Sequence, residues 1–95
     1  MKKSWTKWEE EIAEMLGGKR NKASGSLWYA PSDVKSNSYL AECKETNKLS
    51  FSLTKKILEK TSDEALFSHR IPMWAIKIQD KKLIVMEKED FKHLL

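Results

Sequence analysis

Two acidic residues and a lysine, Asp33, Glu42 and Lys44, have a spacing that suits metal-assisted chemistry. If Asn37 and Ser38 are the two central residues of a hairpin turn, Asp33 lies directly across from Glu42 in the paired strands. Their Cβ atoms would be about 4.5 to 5.5 Å apart, and like charges placed that way destabilise a sheet. A divalent cation between the carboxylates would remove this penalty. Because these are hard oxygen donors with no histidine or cysteine cluster beside them, Mg²⁺ or Mn²⁺ is favoured over zinc.

Lys44 is expected on the same strand face as Glu42, since side chains alternate along a strand and residues two apart are separated by roughly 7 Å. Tyr39, Ala41 and Cys43 then point to the opposite, apolar face. This pattern predicts one face for the core and one for chemistry. A lysine beside a metal can orient or help deprotonate an attacking water, and it can offset charge on a pentavalent phosphate.

A purely structural interpretation of these residues stays open. Asp33 could only shape a turn, while Glu42 and Lys44 could form a solvated face closed by a weak salt bridge. Lys35 is expected on the same side of the hairpin and could neutralise the carboxylates without any metal.

Glu9 supplies an independent clue. On a helical projection it falls about 40° from Trp5 and about 20° from Leu16, beside the apolar stripe, whereas Glu10 and Glu14 point to solvent. A carboxylate directed towards the sheet needs an interaction partner, and two kinds of partner are possible.

One possibility is a capping box, in which Glu9 pairs with Thr6 three residues before it. The other is a role for Glu9 as a further metal or water ligand. Ser4 could instead cap the helix one turn earlier, which would leave Thr6 inside the helix.

A basic loop follows this helix. Lys19, Arg20 and Lys22 lie within residues 17–26, a segment without an acidic residue, in a chain of net charge +4. Such a loop beside an acidic site is suited to contact the phosphate backbone of DNA. A solvated loop that keeps the protein soluble is the competing interpretation.

The length of 95 residues is enough for one compact domain, taken as residues 1–95, and not for two. With 40% hydrophobic and 34% charged residues, the composition is that of a globular chain rather than a disordered or membrane one. No apolar run approaches the roughly 20 residues that a bilayer requires, and no signal core follows the first residues. A cytoplasmic protein is expected.

The single cysteine, Cys43, excludes an intramolecular disulfide framework and a cysteine-rich zinc site.

Hydrophobic periodicity and turn residues predict the elements that must position these side chains. We expect a helix over residues 5–16 ending at Gly17 and Gly18, and a second helix over residues 53–68 with a break near residues 61–63. A final short helix is expected over residues 88–95. Strands are predicted over residues 27–29, 30–35, 39–46, 73–78 and 82–87, with the last two in the middle of the sheet. The order α-β-β-β-α-β-β-α indicates an α/β (α+β) fold, a central mixed β-sheet flanked by helices.

Four segments together resemble the archaeal-type Holliday-junction resolvases and their small phage-encoded relatives, which belong to the PD-(D/E)xK nucleases. The segments are "EEEIAEMLGG", "ASGS", "APSD" and "YLAECKET", and their order and spacing match the family's first helix, Ser-Gly loop, PD motif and ExK strand. The resemblance covers about residues 9–46. It implies a restriction-endonuclease-like core.

Carried over by position, the resemblance implies that Glu9, Asp33 and Glu42 surround a metal site and that the backbone carbonyl of Cys43 also ligates the ion. Lys44 would serve the attacking water. Ser24 matches a loop serine that acts near the scissile phosphate. This chain departs from the family in having Pro31-Ser32-Asp33 where the family has adjacent Pro and Asp.

The function implied is a Mg²⁺- or Mn²⁺-dependent DNA endonuclease, a homodimer that resolves four-way junctions by paired phosphodiester hydrolysis. A nicking or restriction-like endonuclease would need the same site with a different binding surface. A non-catalytic DNA-binding module, using the basic loop and exposed tryptophans, is an alternative of another class.

Overall fold

The structure, a computed structural model, describes residues 4–21 and 32–95. Three predicted features, Lys22, Ser24 and the strand over residues 27–29, lie outside these ranges. The described elements are, in chain order, α1 (Ser4–Leu16), β1 (Lys19–Arg20), β2 (Val34–Lys35), β3 (Tyr39–Thr46), α2 (Lys55–Phe67), β4 (Ile71–Ile78), β5 (Lys81–Val85) and α3 (Lys88–Lys92). Their order is the predicted α-β-β-β-α-β-β-α, although the first described strand is Lys19–Arg20 and not the strand predicted over residues 27–29.

The five strands form one mixed sheet in the order β1-β2-β3-β4-β5. The central pair, β3 and β4, is parallel, and each outer strand is antiparallel to its neighbour. A parallel pair requires a crossover connection, which α2 provides. The predicted central mixed sheet with flanking helices is confirmed.

The register of the β2–β3 hairpin is the one predicted from the turn. Val34 pairs with Ala41 and Lys35 pairs with Leu40. The turn is closed by the Ser36 amide, which donates to the Tyr39 carbonyl at 2.9 Å. Since a slip of one residue would turn every side chain to the other face, this register decides where the acidic residues lie.

The first helix, α1, covers one face of the sheet. Trp8 and Ile12 are buried against Ala41 and Cys43, and the indole N–H of Trp8 donates to the carbonyl of Ala75 at 3.0 Å. The apolar face predicted for β3 is therefore confirmed as core.

The helix ends where the two glycines predict. Gly17 has a φ of +65°, a backbone conformation that residues with a side chain rarely adopt. At Gly18 a Cβ atom would collide with the backbone of Lys35. A glycine is needed there because the chain leaving α1 passes directly against β2.

The second helix, α2, packs against β3 and β4. Its N-cap is Thr54, whose hydroxyl accepts from the Ile57 amide at 3.2 Å. The predicted break near residues 61–63 is wrong: the helix is continuous, because Thr61 is fully buried at its centre and packing outweighs its low helix propensity.

Three further predictions on the strands need correction. β1 consists of Lys19 and Arg20, which were expected in a loop; a two-residue strand has no periodicity to detect. Of the predicted strand over residues 30–35, residues 32–35 are described, and among these only Val34–Lys35 form β2. β5 lies at the edge of the sheet rather than in its middle, and Leu83 and Ile84 are exposed.

Among the described helices, none is long and apolar enough to cross a membrane.

Candidate active site

The hairpin brings the two predicted carboxylates together inside the protein. Asp33 immediately precedes β2 and Glu42 lies in β3, and they are 6% and 7% exposed. The Asp33 carboxylate accepts a hydrogen bond from the backbone amide of Cys43 at 2.8 Å, directly beside Glu42 in the chain. Asp33 is therefore held across the hairpin against the ExK-like strand.

The electrostatics of this pair are unfavourable to two negative charges. Burial raises the pKa of Asp33 to about 8, helped by its hydrogen bond to Glu42 and by the charge of Glu42, while the Cys43 amide opposes the shift. The charge of Glu9 adds a further increase. At neutral pH Asp33 is therefore mostly protonated in the metal-free site, and a bound cation could take the place of that proton.

Glu9 faces the sheet as predicted, and it is 5% exposed. Its carboxylate accepts a hydrogen bond from Nε of Arg20 at 2.8 Å. The capping-box hypothesis is wrong, because Thr6 lies within α1 and cannot be the N-cap residue. By contrast Glu11 is exposed and forms an ion pair with Lys82 at 2.8 Å.

Arg20 therefore has an acidic partner, which the sequence did not indicate. Residues 17–26 contain no acidic residue, and the acidic partner of Arg20 comes instead from the preceding helix. Lys19 is exposed and forms no ion pair with any residue of 4–21 or 32–95. Contacts of Lys19 and Arg20 with DNA stay predictions.

A cation that sequence patterns missed lies beside Glu42. Nζ of Lys60, on α2, is 3.3 Å from Oε2 of Glu42. Lys35, which was considered as a neutralising cation, is exposed and makes no such ion pair in the part of the chain that the structure describes. The countercharge of Glu42 comes from α2 and not from the hairpin, because α2 packs against β3 and brings Lys60 to Glu42, whereas the side chain of Lys35 is exposed.

A second α2 residue, Glu64, holds the segment that leads into Asp33. Its two carboxylate oxygens accept from the Ser32 amide at 3.0 and 2.9 Å, and one of them also accepts from the Ser32 hydroxyl at 3.1 Å. A proline at position 32 could donate neither bond, since it has no N–H and no hydroxyl. The serine that separates Pro31 from Asp33 in the sequence therefore has a physical role here.

Lys44 is half-buried and follows Glu42 on the same face of β3. Its ammonium group forms no hydrogen bond or ion pair with any described residue.

Cys43 lies between Glu42 and Lys44 in β3 and has its side chain in the core. Burial raises the pKa of its thiol well above the usual range. Cys43 is consequently a core residue whose backbone, not its sulfur, belongs to the site.

The described residues contain no group of three His, Cys, Asp or Glu side chains already arranged to hold a metal ion. Asp33, Glu9 and Glu42 are each engaged by an internal donor: the Cys43 amide, Arg20 and Lys60, respectively. Their chemistry nevertheless fits Mg²⁺ or Mn²⁺, because all three are carboxylates, the hard oxygen ligands that these ions prefer.

The sequence matches no protein-family profile and no curated protein. Among solved structures it is similar to Hjc, a Holliday junction resolvase from the archaeal hyperthermophile Archaeoglobus fulgidus, with a TM-score of 0.66. The superposition covers 84% of this chain and 73% of the resolvase, at 17% sequence identity. The chain has the Hjc fold. At this identity the likeness establishes the fold, and the chemistry must be argued from the residues.

Within the Hjc-like fold, Asp33→Asn is expected to stabilise the metal-free protein at neutral pH, on the order of a few kcal/mol. Because the pKa of Asp33 is raised from 3.8 to about 8, the folded state binds its proton more tightly than the unfolded chain. This contribution is complete below the ordinary pKa and is lost as pH rises towards 8. Asparagine cannot ionise and can still accept from the Cys43 amide.

Thermal melting in EDTA between about pH 4 and pH 8 checks this expectation. The wild type should lose stability across that window and Asp33→Asn should lose much less. Asp63→Asn, which alters an exposed carboxylate on α2, is the matched control and should follow the wild type. Equal pH profiles for wild type and Asp33→Asn would contradict the expectation.

Proposed function

We propose that this protein is a metal-dependent DNA endonuclease. The observation that carries the proposal is the buried juxtaposition of Asp33 and Glu42. Glu9 lies within electrostatic range of Asp33, and Lys44 lies two residues after Glu42 on the same face of β3. Buried like charges are costly to a fold, and such perturbed groups occur preferentially at functional sites. The Hjc-like fold is a nuclease scaffold that would give this arrangement a use.

In the proposed mechanism Asp33 and Glu42 would hold Mg²⁺ or Mn²⁺, together with Glu9 and the backbone carbonyl of Cys43. When bound, the ion supplies Lewis-acid stabilisation of the negative charge that develops on the phosphate. Lys44 orients the attacking water and offsets charge on the phosphate oxygens. Lys60 maintains the position of Glu42 in the metal-free protein, and Glu64 maintains that of the Ser32–Asp33 segment.

The proposed substrate is a four-way DNA junction, cut by a homodimer with two active sites related by a two-fold axis. The support is the resemblance of the sequence motifs together with the fold shared with a Holliday junction resolvase. Ser24, which lies outside the described residues, is proposed to act near the scissile phosphate on the same resemblance.

The test is incubation with a labelled four-way junction and with a linear duplex of the same sequence, each with Mg²⁺ and with EDTA. We expect paired incisions in the junction with Mg²⁺, far less cutting of the duplex, and none in EDTA. Equal cutting of both substrates would favour a nicking or restriction-like endonuclease. Binding without cutting in both Mg²⁺ and Mn²⁺ would overturn the proposed activity and leave a DNA-binding module.

A further inference from the structure

A basic cleft lies between the end of α1, the β2–β3 turn and the end of α2. Its volume is about 550 Å³. Four cationic side chains and one acidic side chain line it: Lys19, Arg20, Lys35, Arg70 and Glu64. The lining comes from three separate parts of the chain, which is why no sequence motif indicates it.

Two of these charged groups are already engaged within the protein. Arg20 is paired with Glu9, and Glu64 accepts hydrogen bonds from Ser32. For the other three, Lys19, Lys35 and Arg70, no acidic partner is recorded within residues 4–21 and 32–95. The cleft therefore has an excess of positive charge that the described protein does not neutralise.

The placement of the two lysines is unfavourable in the free protein. Lys19 of β1 and Lys35 of β2 are direct cross-strand partners. Like charges directly opposite one another destabilise an antiparallel pair of strands. The β1–β2 pairing contains only two residue pairs, and Lys19 with Lys35 is one of them. An anion bound between the two ammonium groups would convert this repulsion into attraction.

Arg70 is held at the cleft by two backbone carbonyls. Its Nε donates to the Ser36 carbonyl at 2.6 Å, and its Nη1 donates to the Ser68 carbonyl at 3.3 Å. These bonds orient the guanidinium without neutralising its charge. A planar, oriented guanidinium is suited to a phosphate group, and little side-chain entropy remains to be lost on binding.

The cleft adjoins the candidate active site. Glu64 lines the cleft and also holds Ser32, the residue before Asp33. Arg20 lines it and also holds Glu9. A polyanion bound in the cleft would thus continue directly into the site, whereas a small free anion would gain nothing from that connection.

We propose that the cleft binds a backbone phosphate of the DNA through Lys19, Lys35 and Arg70. This phosphate is a neighbour of the phosphate at which the strand is cut. This inference rests on the proposed nuclease function and adds Lys35 and Arg70 to the DNA-binding surface. It also assigns Arg20 to the support of Glu9 rather than to a free contact. Phosphate contacts set the position of the strand and carry no base preference.

The first experiment measures affinity for the four-way junction in EDTA as a function of salt. Lys19→Gln and Lys35→Gln are expected to reduce the slope of log affinity against log salt by about 0.9 each. Lys81→Gln, an exposed lysine on the opposite edge strand of the sheet, is the matched control and should keep the wild-type slope. Slopes unchanged in both cleft variants would overturn the proposal.

The second experiment locates the contact. Single methylphosphonate substitutions, which remove one phosphate charge at a time, should weaken wild-type binding at a position close to the cut. In Lys35→Gln and in Arg70→Gln that one position should lose its effect, whereas the others keep theirs. Melting identifies a misfolded Arg70→Gln, and Lys35→Gln, altered at an exposed side chain, then decides the result. The absence of any position that couples to Lys35 would overturn the proposal.

The two proposals fail in different ways. Mg²⁺-dependent cutting with unaltered salt slopes would remove the cleft and retain the nuclease. Reduced slopes in a protein that never cuts DNA would retain the cleft and remove the nuclease.

Discussion

Asp33→Asn and Glu42→Gln are each expected to slow cleavage of the four-way junction by about a thousandfold or more. A catalytic metal contributes several kcal/mol of charge stabilisation in the transition state. Since roughly 1.4 kcal/mol corresponds to a factor of ten in rate, weakening its ligand set has an effect of this size. The measurement is single-turnover cleavage with Mg²⁺ and protein in excess over labelled DNA.

The controls separate chemistry from folding. Asp33→Asn should be more stable than the wild type at neutral pH while it is inactive, so loss of activity cannot come from unfolding. Asp63→Asn removes an exposed carboxylate from α2 and should cut at the wild-type rate. An Asp33→Asn protein that cuts within about tenfold of the wild-type rate would show that the metal is bound elsewhere or not needed.

Glu9→Gln is expected to lower the cleavage rate by about a hundredfold, and Glu11→Gln should leave it within a factor of about two. The two side chains differ in their surroundings: Glu9 is buried near Asp33, whereas Glu11 is exposed and paired with Lys82. The same single-turnover assay compares them. Full activity of Glu9→Gln with loss in Glu11→Gln would transfer the role to Glu11.

Arg20→Gln is the control for the ion pair between Arg20 and Glu9. If Glu9 only served to hold Arg20, either substitution would break the same pair and both variants would lose activity equally. If Glu9 acts at the metal, Glu9→Gln should lose much more than Arg20→Gln. Melting of both variants reports the cost of breaking a partly buried ion pair, which is a separate quantity.

The local features of this fold could be predicted from the sequence. The turn at Asn37 and Ser38 determined the register that places Asp33 beside Glu42, because strand pairing in a tight hairpin follows from the turn. Helical projection placed Glu9 on the buried side of α1. Both inferences need only the periodicity of a single element or of two adjacent strands.

The contacts between distant elements could not be predicted. Lys60 and Glu64 reach the site because α2 crosses over the sheet, and no periodicity indicates which turn of a helix will meet which strand. Arg20 was placed in a free loop because its partner, Glu9, belongs to another element. The edge position of β5 was missed for a related reason: an apolar run describes the strand and not its neighbours.

The parallel centre of the sheet has a consequence for the order in which the protein folds. The β2–β3 hairpin joins Val34 to Ala41, whereas the β3–β4 pair joins residues as distant as Tyr39 and Ile71. Closing the shorter loop costs less chain entropy, so the hairpin can assemble ahead of the crossover. Two mutually repelling carboxylates then meet before α2 delivers the ammonium of Lys60. Because this repulsion destabilises the isolated hairpin, we expect the early β2–β3 pairing to become stable only once α2 has packed against the sheet.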